Sequence, residues 1–250
     1  ITTGDGNTAV GKSALDANTT ASNNVAIGSS ALTANTTGSY NTAVGSLALE
    51  STTTGISNTA VGGQALQGNT TGDYNVAMGV NALDKNTTAD SNTGIGAAAL
   101  AANTTGASNT AVGRDALGAN TTGQYNVAVG ALALDAITTA SNNTAVGYNA
   151  LTANTASHIT AVGKDALLAN TSGEYNAAFG ATAGDAITTG SLNTALGYNT
   201  LGAATTASNN TAVGAQALAV STTGANNTSV GMNSMVANTT GASNVAVGAY

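Results

Sequence analysis

The sequence predicts an all-β chain folded as a parallel β-solenoid, with one 17-residue repeat per coil and about fifteen coils. Three observations carry this prediction. A motif of the form N-T-A-V-G recurs at a fixed interval along the 250 residues, its fifth residue is always Gly, and both charge and bulk are scarce. Lys and Arg together number 4, Asp and Glu 11 and Phe one, with no Trp, Pro or Cys, against 32 Gly and 43 Thr. A thick, multilayered core needs large side chains, and soluble domains devote about a quarter of their residues to charge. Disorder fits no better, because disordered chains combine high net charge with low hydrophobicity.

The motif starts at Asn7, Asn24, Asn41, Asn58, Asn75, Asn92, Asn109, Asn126, Asn143, Ile159, Asn176, Asn193, Asn210, Asn227 and Asn244. Every interval is 17 residues except that from Asn143 to Ile159, which is 16. Numbered from this residue, the consensus is N-T-A-V-G-x-x-A-L-x-x-N-T-T-G-x-x, and residues 1–250 read as one continuous array cut from a longer chain. Seventeen residues are too few for a helix pair and its turns, and β-branched Thr and Val fall at the recurrent positions. Stacked hairpins would favour Asn-Gly or Asp-Gly turns, and only Asp5-Gly6 occurs. Parallel coiling is therefore expected.

The elements follow in order along the repeat. Positions 2–4 form the strand, and alternation puts 2 and 4 on one face and 3 on the other. Position 4 is always apolar and is the expected core column: Val10, Ile27, Val44, Val61, Met78, Ile95, Val112, Val129, Val146, Val162, Phe179, Leu196, Val213, Val230 and Val247. Ala at position 3 then faces outward, where it permits close packing of another sheet or chain. The invariant Gly at position 5 marks a corner that a Cβ would forbid: Gly11, Gly28, Gly45, Gly62, Gly79, Gly96, Gly113, Gly130, Gly147, Gly163, Gly180, Gly197, Gly214, Gly231 and Gly248. Leu at position 9, absent only at Gly184 and Met235, joins the core. Asn at position 1 is expected to stack into an amide ladder. Positions 6, 7, 10, 11, 16 and 17 vary and should face water. The deletion near His158 should shorten a loop without breaking the array. A weaker three-coil period overlies the first, as in G-K-S-A-L at Gly11, G-R-D-A-L at Gly113 and G-K-D-A-L at Gly163, and in Tyr74, Tyr125 and Tyr175.

Chemistry is sparse in such a chain. The formal charge of −7 is opposite in sign to a phosphate-binding footprint, so no nucleic acid is expected as partner. No run approaches the 18 or so apolar residues of a membrane span, so no membrane insertion is expected in this segment. Without Cys there is neither a disulfide framework nor a thiolate metal site. His158 is the one histidine, and a lone His lacks the partners that a catalytic or metal role needs, so a solvated or locally bonded ring is expected. Asp84, Asp135 and Asp185 share position 10 but lie three coils apart, about 14 Å, too far to act on one bond. The N-T-T triplets, such as Asn18-Thr19-Thr20 and Asn35-Thr36-Thr37, satisfy the N-glycosylation sequon but equally suit corners with side-chain to backbone bonds. Tyr40, Tyr74, Tyr125 and Tyr175 at position 17 form a sparse aromatic line suited to a glycan, a neighbouring chain or the end of the core. Thr columns at positions 13 and 14 suggest an alternative ice-binding surface, although adjacent Thr in a turn point in different directions.

The unit N-T-A-V-G-x-x-A-L-x-x-N-T-T-G resembles the head repeats of trimeric autotransporter adhesins, with Asn24-Val25-Ala26-Ile27-Gly28 the nearest local match, and the repeat arrays of bacterial and phage tail-fibre-domain proteins. The resemblance spans essentially the whole chain. It implies a left-handed parallel β-roll, often trimeric, that serves as a stalk or adhesive head on a cell or virion surface. The expectation is accordingly a non-enzymatic extracellular fibre without cofactors. Its partners would be other copies of itself, as trimer or filament, with a host or cell-surface glycan or receptor as a further partner. A phage receptor-binding shaft is the variant of that expectation.

Overall fold

A computed structural model describes residues 3–249, which divide into two compact units, residues 3–125 and 126–249. The first contains β1 (Thr8–Val10), β2 (Val25–Ile27), β3 (Thr42–Val44), β4 (Thr59–Val61), β5 (Val76–Met78), β6 (Thr93–Ile95) and β7 (Thr110–Val112). The second contains β8 (Val127–Val129), β9 (Thr144–Val146), β10 (Thr160–Val162), β11 (Ala177–Phe179), β12 (Thr194–Leu196), β13 (Thr211–Val213), β14 (Thr228–Val230) and β15 (Val245–Val247). Within each unit every strand pairs in parallel with the strand of the next repeat, in full register: Thr59 opposes Val76 and Val61 opposes Met78 in the first, Thr211 opposes Thr228 in the second. No helix occurs among the described residues. Each unit is a parallel β-solenoid with one repeat per coil.

Three-residue strands are short, but backbone hydrogen bonds between coils continue around the corners. Leu32 N–H donates to Ala48 O at 2.9 Å, Thr36 N–H to Thr53 O at 2.9 Å and Tyr40 N–H to Ser22 O at 3.1 Å. The corners are turned by residues with positive φ at positions 7, 9 and 17, of which Leu83 (φ 54°) and Tyr74 (φ 57°) are examples. A left-handed L-residue costs roughly 1–2 kcal/mol. At position 9 burial of the Leu side chain, worth roughly 1.5–3 kcal/mol, offsets that cost.

The core is the reverse of the one expected at the strand. Ala at position 3 is fully buried, as in Ala26, Ala43, Ala60 and Ala77, whereas the position-4 column faces outward. Val10, Ile27, Met78, Ile95, Val129, Phe179, Leu196 and Val247 are exposed, and Val44, Val61, Val112, Val146, Val162, Val213 and Val230 are half-buried. The reason is the thinness of the coil. Behind the strand lies the position-8 wall: Ser229 Oγ, from position 3, donates to Ser234 O, at position 8, at 2.8 Å. At position 3 of β6, a Cβ on Gly94 would already lie 3.2 Å from Ala99 O and 3.3 Å from Leu83 Cγ. Only Ala, Gly or Ser fits such a gap, so Val, Met and Phe must point out. Ala at position 8 and Leu at position 9 face inward and complete the apolar interior.

The corner glycines stand where expected. Gly62 has φ +132°, and a Cβ there would meet the carbonyl carbon and oxygen of Gly79 at 2.7 Å, so successive coils touch backbone to backbone along this column.

Two amide ladders complete the interior. At position 1, Asn75 N–H donates to Asn58 Oδ1 at 2.9 Å, and Asn75 Nδ2 donates to Ala89 O at 2.8 Å and to Asn58 Oδ1 at 3.2 Å. At position 12, Asn86 Nδ2 donates to Asn69 Oδ1 at 3.0 Å and Asn103 Nδ2 to Asn86 Oδ1 at 2.9 Å. The second ladder was not anticipated. Its amides also reach the position-15 carbonyls, Asn86 Nδ2 lying 3.0 Å from Ala89 O, so one carbonyl receives both ladders.

The single-residue deletion removes position 14. Asn154 Nδ2 bonds Ala156 O two residues on, where the usual spacing is three, and Thr160 still pairs with Thr144 and Ala177. The missing Leu at Gly184 is answered within the same coil. A Cβ on Gly184 would lie 3.0 Å from Ile187 Cδ1 and 3.0 Å from Leu167 Cδ2, so Ile187, in the usual Asn column, fills the space.

Candidate functional site

The repeat divides its side chains between an interior that keeps Ala, Leu and Asn in most coils, with departures such as Ile159, Gly184 and Ile187, and an exterior that varies more freely. The outward strand face is formed by positions 2 and 4. No residue in either column ionises anywhere in the sequence, and position 4 ranges from Val to Ile, Met, Leu and Phe. Exposure of Met78 is 43%, of Phe179 41% and of Leu196 47%. Tyr74 and Tyr175 at position 17 flank β5 and β11 and are exposed at 59% and 54%. In each unit, a sheet face with water-exposed apolar side chains and no charge is the strongest candidate for contact with another molecule.

The charged residues lie off this face. Lys85 Nζ meets Asp84 Oδ2 at 2.9 Å and Lys164 Nζ meets Asp165 Oδ2 at 2.6 Å, while Arg114 pairs with Asp115. Each pair is between chain neighbours at the surface, where ion pairs contribute little. Burial pushes the Asp185 carboxyl above its ordinary value, and the backbone N–H groups of Asp185 and Ala186 offset part of that rise. A raised folded-state value favours the acid form: its stabilising contribution is complete below the unfolded carboxylate range and is lost as pH rises through the folded value. Asp185→Asn is therefore expected to raise the thermal midpoint at pH 7, with the advantage shrinking as the pH is lowered through the carboxylate range. Thermal unfolding of both proteins from pH 3 to pH 7 checks this.

The other sequence candidates resolve into structure. His158 is exposed, its N–H donates to Ser141 O at 3.3 Å, and its ring stacks on Tyr175 with centroids 5.2 Å apart. Among the described residues no group of three or more His, Asp or Glu is placed to hold a metal ion. The sequon residues Asn18 and Asn35 are buried and their Nδ2 atoms donate to Ala21 O and Gly38 O, so in the folded coil these amides are closed to modification. Thr at position 13 donates its hydroxyl along the stack, Thr36 Oγ1 to Thr53 O at 3.1 Å and Thr70 Oγ1 to Thr87 O at 3.0 Å. Only position 14 leaves a Thr column fully at the surface, so positions 13 and 14 do not form a paired Thr face. No helix among the described residues is long and apolar enough to cross a membrane.

Sequence reasoning named the right residues for the wrong side of the wall. The missed signal was size: position 3 admits only Ala, Gly and Ser, the mark of a tight interior, whereas position 4 tolerates Val through Phe, the mark of a free surface. Compared with models of protein families and with curated proteins, the chain matches none.

Proposed function

We propose that this chain is a non-enzymatic structural segment, a stalk or fibre of stacked coils displayed outside a cell or on a virion, whose copies associate through the outward strand face. The observation that carries the reading is the position-4 column: large apolar side chains held at the surface of an otherwise uniform, hydrogen-bonded wall. The coil does not need them for its own packing, since Ala, Leu and two Asn ladders fill the interior. The resemblance to adhesin-head and tail-fibre arrays points the same way.

Burying Val, Met and Phe against another sheet recovers roughly 25 cal/mol per Å² of apolar surface. Placing a charge on that face should abolish the contact and leave the coil intact. The variant Met78→Lys/Phe179→Lys is expected to sediment as a monomer under conditions where the parent is an oligomer, with an unchanged circular dichroism spectrum. A parent chain that stays monomeric at high concentration contradicts the reading.

A further inference from the structure

In the first unit one column of side chains is exposed in every coil, and that column does not vary. Position 14 is Thr in each coil from Thr20 to Thr122. Columns that are only partly exposed change freely, position 16 reading Ser, Ser, Ile, Asp, Asp, Ala and Gln from Ser22 to Gln124. The fold does not account for the constancy. At position 13 the Thr hydroxyls tie coil to coil, Thr53 Oγ1 donating to Thr70 O at 3.2 Å and Thr87 Oγ1 to Thr104 O at 3.1 Å. At position 14 no hydroxyl bonds any group among the described residues. Val would supply the same branched shape, yet it never stands in this column, so the hydroxyl is what every coil keeps. In the second unit, taken by itself, position 14 is Thr or Ser in every complete coil but the shortened one.

Three residues along the chain, within about 11 Å, position 17 carries the aromatic rings. Tyr40, Tyr74 and Tyr125 are the only aromatic residues of this unit, exposed at 64%, 59% and 60%. Ser57, Ser91 and Ser108 stand between them, and neither these hydroxyls nor the phenols bond any group among the described residues. At position 16 Asp73 Oδ1 accepts the Ile56 N–H and Asp90 Oδ1 the Asp73 N–H, both at 2.7 Å, which fixes two carboxylates beside the rings. We propose that this edge of the first unit binds an extended, uncharged β-1,4-linked glycan lying along the stack of coils. The spacing selects that ligand. Coils about 4.8 Å apart nearly match the advance of such a chain per sugar, and Tyr40 and Tyr74, two coils or about 9.6 Å apart, stand one disaccharide from each other. Sugar rings turn C–H groups to the tyrosine faces, while their hydroxyls meet the free Thr and Ser hydroxyls and the second carboxylate oxygens. The carboxylates disfavour an acidic polysaccharide. The edge borders the strand face without using it, so the site does not rest on the association of copies.

Calorimetric titration of the whole chain with cellohexaose tests this, with cellobiose and maltohexaose alongside. Cellohexaose should bind more tightly than cellobiose, because the longer chain spans more coils. Maltohexaose has the same sugars on a coiled backbone and should bind roughly tenfold more weakly or not at all. The variant Tyr40→Ser/Tyr74→Ser uses the residue already present at Ser57 and should lower cellohexaose affinity roughly tenfold with an unchanged circular dichroism spectrum. Thr37→Val/Thr54→Val/Thr71→Val removes only hydroxyls and should weaken binding several-fold, by about the worth of a few hydrogen bonds. Met78→Lys/Phe179→Lys should bind as the parent does, whether or not the parent associates. No binding of cellohexaose, equal binding of maltohexaose, or affinity unmoved by both the Tyr and the Thr variants overturns the proposal. Loss of binding in Met78→Lys/Phe179→Lys alone would place the site on the strand face and overturn it as well.

Discussion

Replacing Asn75 by Ala is expected to cost the fold about 2–4 kcal/mol, a large share of the stability of an ordinary domain. Asn75 lies wholly buried, and four hydrogen bonds pass through its side chain or its N–H. It donates to Asn58 Oδ1 and Ala89 O, and its own Oδ1 accepts the Asn92 N–H at 2.9 Å. Ala removes the acceptor of a buried N–H in the next coil and one of the two donors to Ala89 O, which keeps Asn86 Nδ2 at 3.0 Å. The orphaned N–H costs about 1–3 kcal/mol, and the lost second bond and the vacated space add to it. The chain contains its own comparison. Ile159 occupies the same column, where its N–H still donates to Asn143 Oδ1 at 3.0 Å while its side chain fills the volume. Asn75→Ile should therefore be milder than Asn75→Ala. Guanidinium unfolding of the three proteins gives the ordering.

Gly62→Ala is expected to be destabilising by roughly 3 kcal/mol or more, while the same change one residue later, Gly63→Ala, is nearly neutral. Gly62 combines a positive φ with a Cβ position 2.7 Å from the Gly79 backbone. Relief requires the coils to part, which loosens the bonds from Gly62 N–H to Val44 O and from Gly79 N–H to Val61 O, both 2.8 Å. At Gly63 the nearest atom to a new Cβ is Ser46 O at 4.0 Å, so nothing needs to move. Two adjacent glycines thus separate the corner requirement from the general effect of losing a Gly. Midpoints that shift equally in the two variants would remove the backbone-contact argument.

The period, the parallel stacking, the glycine corner and the position-1 ladder were legible in the sequence because each repeats without exception or nearly so, and a repeated backbone contact imposes a repeated residue. The facing of the strand was not legible from hydropathy, since alternation over three residues fits either orientation equally well. The deciding fact is the gap between the strand and the position-8 wall, and only side-chain size reports it. The interior role of Asn86 and Asn103 escaped for a related reason: N-T-T reads as a polar surface turn, but the coil folds the amides inward onto the position-15 carbonyls. Gly184 departs from the Leu column because Ile187, three residues on, reaches into the same volume, a compensation that no single column of the repeat reveals.

The facing of the strand is also the claim on which the proposed association depends, and one measurement reaches it directly. Ala77 and Met78 are neighbours in β5, one fully buried and the other exposed. In a chain without native cysteine, Ala77→Cys and Met78→Cys each carry a single thiol. Labelling by a small disulfide reagent, at protein concentrations low enough to keep copies apart, should be rapid for Met78→Cys and slowed by orders of magnitude for Ala77→Cys until denaturant is added. The opposite pattern, a reactive thiol at 77 and a protected one at 78, would return the valine column to the interior and contradict the account.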